Sequence, residues 1–203
     1  CYDIQKLRIL EDLFAKSRPQ RVIIFSSSKL KVKELAFAIK RMKFNVAAMH
    51  SDLEQAKREE VMKDFKNGRI DILVATDIVA RGIDIDDIKL VINFDIPHDP
   101  EDYVHRIGRT ARGTNGEGLA ITFVAEHEQA QFSRIEKFLE KPIYKIPVPA
   151  EFGETPAYEP EKHPEGRGSR RPGGGDKGRT GHGGGNRQGG RSNFRKGPRP
   201  ANK

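Results

Sequence analysis

Three arginines and a histidine lie within eight consecutive residues, His105 to Arg112, in a spacing that suits phosphate binding. If the segment is helical, at ~100° per residue His105, Arg109 and Arg112 share one face, and Arg106 points away from it. Neighbouring guanidinium groups repel each other unless an anion lies between them, and the planar fork of arginine donates two hydrogen bonds to one phosphate. A nucleoside triphosphate is therefore the first candidate ligand, and a solvated basic helix face is the alternative.

A second group of polar residues follows an apolar run of strand length, Ile70–Ala75. It contains the hydroxyl of Thr76, the guanidinium of Arg81 and, at Gly82, a glycine that permits close approach of a ligand. Such groups suit the sugar-phosphate backbone of a nucleic acid, and contacts with that backbone give affinity without selecting a base sequence. Asp84 offers an acceptor for a pair of ribose hydroxyls. The alternative is a strand-to-helix turn that is rich in capping residues.

Apolar segments of strand length alternate along the chain with segments of helical periodicity. The predicted strands cover 21–25, 46–49, 70–75, 90–94 and 118–124. The predicted helices cover 3–16 (apolar face Ile4, Leu7, Leu10, Leu13, Phe14), 29–42, 54–65 with a cap at Asp52, Pro100 to Gly113, and 126–139 (inner face Phe132, Ile135 and Phe138 or Leu139). The alternation predicts an α/β fold in which helices cover both faces of a parallel sheet. Ligands of such sheets bind at the carboxyl ends of the strands.

The positive charge is concentrated near the end of the chain. The 203 residues carry a net charge of +8, whereas residues 161–203 alone hold twelve Lys or Arg against three Asp or Glu, and 13 of the 20 glycines. We predict a domain over 1–145, a linker over 146–160 and a disordered Gly/Arg-rich basic tail over 161–203. The tail is expected to tether RNA by neutralising phosphates, and a solubilising linker is the alternative.

Cysteine content and hydropathy exclude several classes of protein. The single cysteine, Cys1, excludes a disulfide framework and a cysteine zinc site, and it fits a reducing, cytoplasmic setting. No apolar run approaches the ~18 residues of a membrane span, and no signal-peptide pattern opens the chain. Because the chain begins without Met inside an amphipathic segment, we expect it to be part of a longer protein.

Four segments, in this order, resemble the motifs of one family. The segments VATDIVARGIDI (74–85) and HRIGRTAR (105–112) resemble motifs V and VI of the DEAD-box RNA helicases. RVIIFSSSK (21–29) is similar to motif IV, and QAKR (55–58) is similar to motif IVa. The resemblance covers roughly residues 1–145 and implies the second of two RecA-like lobes of an ATP-dependent RNA helicase.

The resemblance implies a role for each matching residue. It implies that Arg109 contacts the terminal phosphate of ATP, that Arg112 acts as an arginine finger on the charge developing there, and that Asp84 binds the ribose. His105 would link motif VI to the other lobe. The residues that would contact the RNA backbone are Ser28, Gln55, Arg58, Thr76, Arg81 and Gly82. Arg106 is expected to be structural, and Asp77 to order its loop.

Two family motifs are missing from these residues, the Gly-rich phosphate loop and the Asp-Glu-Ala-Asp metal site. The resemblance therefore implies that an N-terminal lobe holds Mg²⁺, that this chain contributes no metal ligand, and that it does not hydrolyse ATP alone. Two alternatives stay open at this point. One is a DNA-directed helicase lobe of superfamily 2, and the other is a non-catalytic RNA-binding or regulatory module.

Overall fold

The fold is built around one sheet of five parallel strands. The computed structural model describes residues 1–77, 88–110 and 118–162. In chain order the strands are β1 (Val22–Phe25), β2 (Val46–Met49), β3 (Ile72–Ala75), β4 (Leu90–Asn93) and β5 (Leu119–Thr122). All five lie within the predicted apolar runs, so the predicted parallel α/β sheet is confirmed.

The sheet has the spatial order β2-β3-β1-β4-β5. The chain passes from β3, on one side of the central strand β1, to β4 on its other side. Such a reversal of strand order opens a crevice at the carboxyl ends of the strands, where ligands of open α/β sheets bind. A ligand site is therefore expected beside the segments that follow β1, β3 and β4.

Helices pack on both faces of this sheet. They are α1 (Asp3–Ser17), α2 (Lys29–Arg41), α3 (Gln55–Lys66), α4 (Pro100–Ile107) and α5 (Gln129–Phe138), with short 3₁₀ helices at Glu126–Glu128 and Ala150–Phe152. One face of β1, with Val22 and Ile24, packs on Leu10 and Phe14 of α1 and on α2. The opposite face, with Ile23 and Phe25, packs on α3. None of these helices is long and apolar enough to cross a membrane.

The helix that carries the arginines is shorter than predicted. It begins as expected, with Pro100 at its first position and the Asp99 carboxylate accepting a hydrogen bond from the Glu101 N–H at 2.9 Å. It ends at Ile107, however, and Gly108 follows as its C-cap. Glycine disfavours a helix by about 1 kcal/mol relative to Ala, and the next two N–H groups bond to carbonyls three residues back. Arg109 therefore lies in a turn, and the shared helical face predicted for it with His105 was wrong.

Two smaller predictions about helices were also wrong. Ile4 is 86% exposed, because Gln5 and Lys6 turn inward from the first part of α1 instead. Asp52 does not cap α3, since its carboxylate binds Lys29 and Lys33 and Glu54 is the N-cap. Of the last predicted pair, Phe138 is exposed, and Leu139 packs with the core.

The segment predicted as a linker packs against the helices. We name residues 143–160 the C-terminal strap. The amide of Gln5 donates to the carbonyls of Phe152 and Glu154, each at 2.9 Å. The buried amide of Gln129 donates to Ala157 O at 2.7 Å and accepts from Glu159 N at 2.6 Å. The strap is thus held by its backbone to α1 and α5.

Candidate nucleotide and nucleic-acid site

Polar residues follow each of the strands at the centre of the sheet. Ser26–Ser28, which we name the serine loop, follows β1, and Thr76 and Asp77 follow β3. His50–Asp52 follow β2, and Asp95 lies two residues beyond β4. Because parallel strands end at the same edge of a sheet, these groups share one edge. This is the edge at which the sequence predicted a site.

Arg106 is a buried cation at this edge, with 2% exposure. Its Nε and Nη2 donate to the two carboxylate oxygens of Asp77 at 2.5 and 2.7 Å. Its Nη1 donates to Asn93 Oδ1 at 3.2 Å and to Asp95 O at 2.8 Å, and the guanidinium lies over the Phe25 ring. All its donors face the protein, so the structural interpretation of Arg106 is confirmed. The same contacts tie Asp77 to α4.

Arg109 lies in the turn that follows α4, residues 108–110, which we name the arginine turn. The turn is attached to the sheet by Thr110, whose hydroxyl donates to Ile88 O at 3.0 Å just before β4. Arg109 is partly exposed, and His105 is exposed on α4. The turn is therefore attached at the start of β4, and Arg109 is not buried in it. Arg112 and Asp84, the other candidates for ATP, lie outside the described residues.

Gly118 supports the arginine turn from β5. A Cβ at this position would overlap the backbone and hydroxyl oxygens of Thr110. We expect Gly118→Ala to lower the free energy of unfolding by about 1–3 kcal/mol, because either the turn or β5 must shift. Urea unfolding of the two proteins measures this difference. An unchanged midpoint would show that the turn accepts the methyl group and is not packed against Gly118.

Asp95 connects the serine loop to the helices. Its Oδ2 accepts from Ser26 Oγ at 2.5 Å, Ser27 N at 3.1 Å and Ser27 Oγ at 3.3 Å. Its Oδ1 accepts from Lys31 Nζ at 2.9 Å. Burial alone would raise the pKa of Asp95, but the bonds from Ser26, Lys31 and the Ser27 N–H hold that pKa below its usual value. The stability that these bonds give is complete above the ordinary carboxyl pKa and is lost as the pH falls through the lowered value.

The residues predicted to contact RNA follow three adjacent strands, β1, β3 and β2. Ser28 is the N-cap residue of α2, and its side chain makes no capping hydrogen bond. Thr76 follows β3 and is partly buried. Gln55 and Arg58 lie in the first turn of α3; Gln55 donates to Glu59 at 2.9 Å, and Arg58 Nη2 donates to Ser51 O at 3.1 Å. The described candidates therefore share one side of the edge. Arg81 and Gly82 lie outside the described residues.

One group of described residues has the composition of a metal site: Asp3, His127 and Glu128. A cation already lies there, because Lys6 Nζ is 3.1 Å from Asp3 Oδ1 and 2.7 Å from Glu128 Oε2. The second Glu128 oxygen accepts the N–H of Ile96. With a buried ammonium already placed between its two carboxylates, this group does not fit a divalent ion.

Known proteins are similar to this chain in sequence and in fold. The profile of the helicase conserved C-terminal domain family matches residues 5–114. The structure of E. coli DEAD-box protein SrmB bound to regulator of ribonuclease activity A is similar with a TM-score of 0.69 and 35% identity, over 76% of this chain and 92% of that chain. The chain is a C-terminal helicase domain of the DEAD-box family. The predicted resemblance is thereby confirmed.

Two further proteins are similar to this DEAD-box domain. It is 42% identical over 148 residues to the ATP-dependent RNA helicase CshA of Listeria monocytogenes, over 73% of this chain and 28% of that protein. The structure of S. cerevisiae Dbp5 bound to RNA and ADP BeF3 matches with a TM-score of 0.63 and 32% identity, over 70% of this chain and 38% of that chain. The chain spans about a third or less of the first curated relatives that it matches.

The sequence interpretation missed two charged residues of this DEAD-box domain. Lys6 is 1% exposed, and it was overlooked although it lies one turn before Leu10 on the apolar face of α1. Asp95 was not singled out either. Its signal was a carboxylate directly after the apolar strand that ends in Asn93-Phe94. A charge at a position that the pattern assigns to the core indicates a buried partner.

Proposed function

We propose that this domain is the C-terminal lobe of an ATP-dependent RNA helicase, which couples ATP binding and hydrolysis to local separation of an RNA duplex. The observation that carries the proposal is the shared edge of the sheet. The described RNA candidates follow β1, β2 and β3 at this edge. The ATP candidate Arg109 is linked to the same edge through Arg106, which lies three residues before it and donates to Asp77 and to the Asp95 carbonyl.

In the proposed mechanism, two lobes close around ATP and single-stranded RNA. Closure brings Arg109 and Arg112 to the phosphates, where Arg112 stabilises the charge that develops at the terminal phosphate. Asp84 holds the ribose, and His105 contacts the N-terminal lobe. Closure bends one RNA strand on the backbone contacts of the residues that follow β1, β2 and β3, which separates a short duplex. Release of phosphate reopens the cleft.

Mg²⁺ and the remaining phosphate contacts belong, in this proposal, to the N-terminal lobe. The proposal assigns no metal to the present lobe, whose described acidic group already holds the Lys6 ammonium between its two carboxylates. We place the protein in the cytoplasm, since its single cysteine fits a reducing compartment. A DNA-directed helicase is not favoured, because CshA is named an RNA helicase and the Dbp5 structure is bound to RNA.

The proposal is tested with this chain and with the two-lobe protein that contains it. We expect RNA-stimulated ATP hydrolysis by the two-lobe protein and none above background by the lobe alone, because an arginine finger needs other groups to position nucleotide and water. Matched RNA and DNA duplexes should be separated unequally, in favour of RNA. Equal separation would support the DNA-directed alternative, and hydrolysis by the isolated lobe would contradict the assignment of roles.

The basic tail, which lies outside the described residues, is proposed to tether RNA. Deleting the residues after Pro160 should weaken RNA binding and flatten its dependence on salt, because each neutralised phosphate releases counterions. Fluorescence anisotropy across a salt series measures both quantities. A tail of equal length with Gln in place of Lys and Arg is the control and should behave as the deletion does. Unchanged affinity and slope would leave the tail a solubilising linker.

A further inference from the structure

Asp95 joins the two halves of the proposed site through one residue. Its side chain accepts hydrogen bonds from the serine loop and from Lys31 of α2, on the side proposed for RNA, and its Oδ1 lies 3.9 Å from Lys6 Nζ of α1. Its backbone carbonyl accepts from Arg106 at 2.8 Å, on the side proposed for ATP. Arg106 lies two residues before the arginine turn and also donates to Asp77, next to Thr76. The ends of β1, β3 and β4 are therefore linked by one set of buried polar contacts.

We infer that Asp95 is a positioning residue that couples RNA binding to ATP binding by holding the serine loop in register with the arginine turn. The inference rests on the proposed function. Asp95 touches neither proposed ligand. It acts through Ser28, which directly follows the two serines that it binds, and through Arg106, which precedes Arg109 by three residues.

One substitution can distinguish a positioning role of Asp95 from an effect of its charge alone. A carboxylate beside a phosphate-binding loop opposes RNA, so removing its charge should tighten RNA binding if charge alone mattered. If Asp95 positions the loop, the same change should instead weaken RNA binding, and it should do so only when the ATP analogue is bound. The two explanations predict opposite signs for one substitution.

The chain offers a matched control at the same edge. Asp52 also accepts from two lysines of α2, Lys29 at 2.9 Å and Lys33 at 3.3 Å. Asp52→Asn removes the same charge as Asp95→Asn and frees lysines of the same helix. Asp52 is exposed, and among the described residues its hydrogen bonds join it to Lys29, Lys33 and His50 rather than to the serine loop.

The experiment measures RNA affinity of the two-lobe protein with and without a non-hydrolysable ATP analogue, for wild type and both variants. The ratio of the two affinities is the coupling factor, which in proteins typically lies between about 5 and 150. We expect Asp95→Asn to lower this ratio about tenfold, with RNA affinity in the absence of nucleotide within about threefold of wild type. Asp52→Asn should leave the ratio unchanged. Equal ratios for the two variants would overturn the inference.

A neutral variant keeps the test valid if Asp95→Asn does not fold. Ser26→Ala removes one hydrogen bond to the carboxylate and changes no charge, and it should lower the coupling factor in the same direction by a smaller amount. An unchanged factor in folded Ser26→Ala would also overturn the inference. The proposed function would instead be refuted if the RNA affinity of the wild-type protein did not depend on the nucleotide and its ATP hydrolysis did not depend on RNA.

Discussion

Replacing Arg112 with Ala in the two-lobe protein is expected to lower kcat for RNA-stimulated ATP hydrolysis by about three orders of magnitude or more. An arginine finger stabilises charge that develops only in the transition state, so its loss lowers kcat rather than ground-state binding. RNA affinity should change less than about threefold, since one cation among the many that meet RNA contributes a small share. Steady-state hydrolysis with saturating RNA, together with anisotropy, measures both effects.

The control for this experiment is an arginine of the same domain outside the site. Arg41 ends α2 and is exposed, and Arg41→Ala should keep kcat within about twofold. Arg112→Ala with more than a tenth of the wild-type kcat would contradict the finger role. That result, with intact RNA binding, would favour the non-catalytic RNA-binding module.

Replacing Arg106 with Met is expected to lower the free energy of unfolding by about 3–5 kcal/mol, the largest stability effect that we predict. The substitution leaves the Asp77 carboxylate, the Asn93 side chain and the Asp95 carbonyl without the donor that now serves all three. Removing one partner of a buried ion pair is costly because the other charge stays in the interior. Urea unfolding of the isolated lobe measures the loss.

An exposed ion pair serves as the comparison. Arg69 Nη1 is 3.2 Å from Asp64 Oδ1, and the Arg69 side chain is 72% exposed. Arg69→Met should lower the free energy of unfolding by less than about 1 kcal/mol. Combining Arg106→Met with Asp77→Asn should recover part of the loss, since no buried carboxylate then lacks its cation. Equal effects of the two Arg→Met variants would show that Arg106 is not held as the structure places it.

The sheet could be predicted from sequence because its strands are buried on both faces. Runs such as Val22–Phe25 and Ile72–Ala75 are continuously apolar, and such runs are typical of parallel strands between layers of helices. The location of the site, at the carboxyl ends of the strands, then followed from the predicted parallel sheet. The residue types at that edge gave the family, because the motifs are long.

The end of α4 has one local signal, Gly108, and one distant contact that the local pattern does not show. Helical periodicity continues through Arg109, but the hydroxyl of Thr110 bonds to Ile88, more than twenty residues earlier in the chain. The burial of Lys6 and Asp95 was missed for a similar reason, since a buried charge is tolerated only beside a partner, and the local pattern does not show that partner. Local propensity sets the elements, and tertiary contacts set their ends and their charges.

The C-terminal strap is recognised by its main chain, because Gln5 and Gln129 bind carbonyls and an N–H that every ordinary residue offers. Such recognition is indifferent to the identity of most side chains along the strap. We therefore expect strap residues to tolerate exchange wherever the path of the main chain is kept, except Lys145 and Tyr158, whose side chains donate to Glu136. A fragment cut at residue 145 would expose both glutamine amides to water, so a recombinant lobe should extend to at least residue 160.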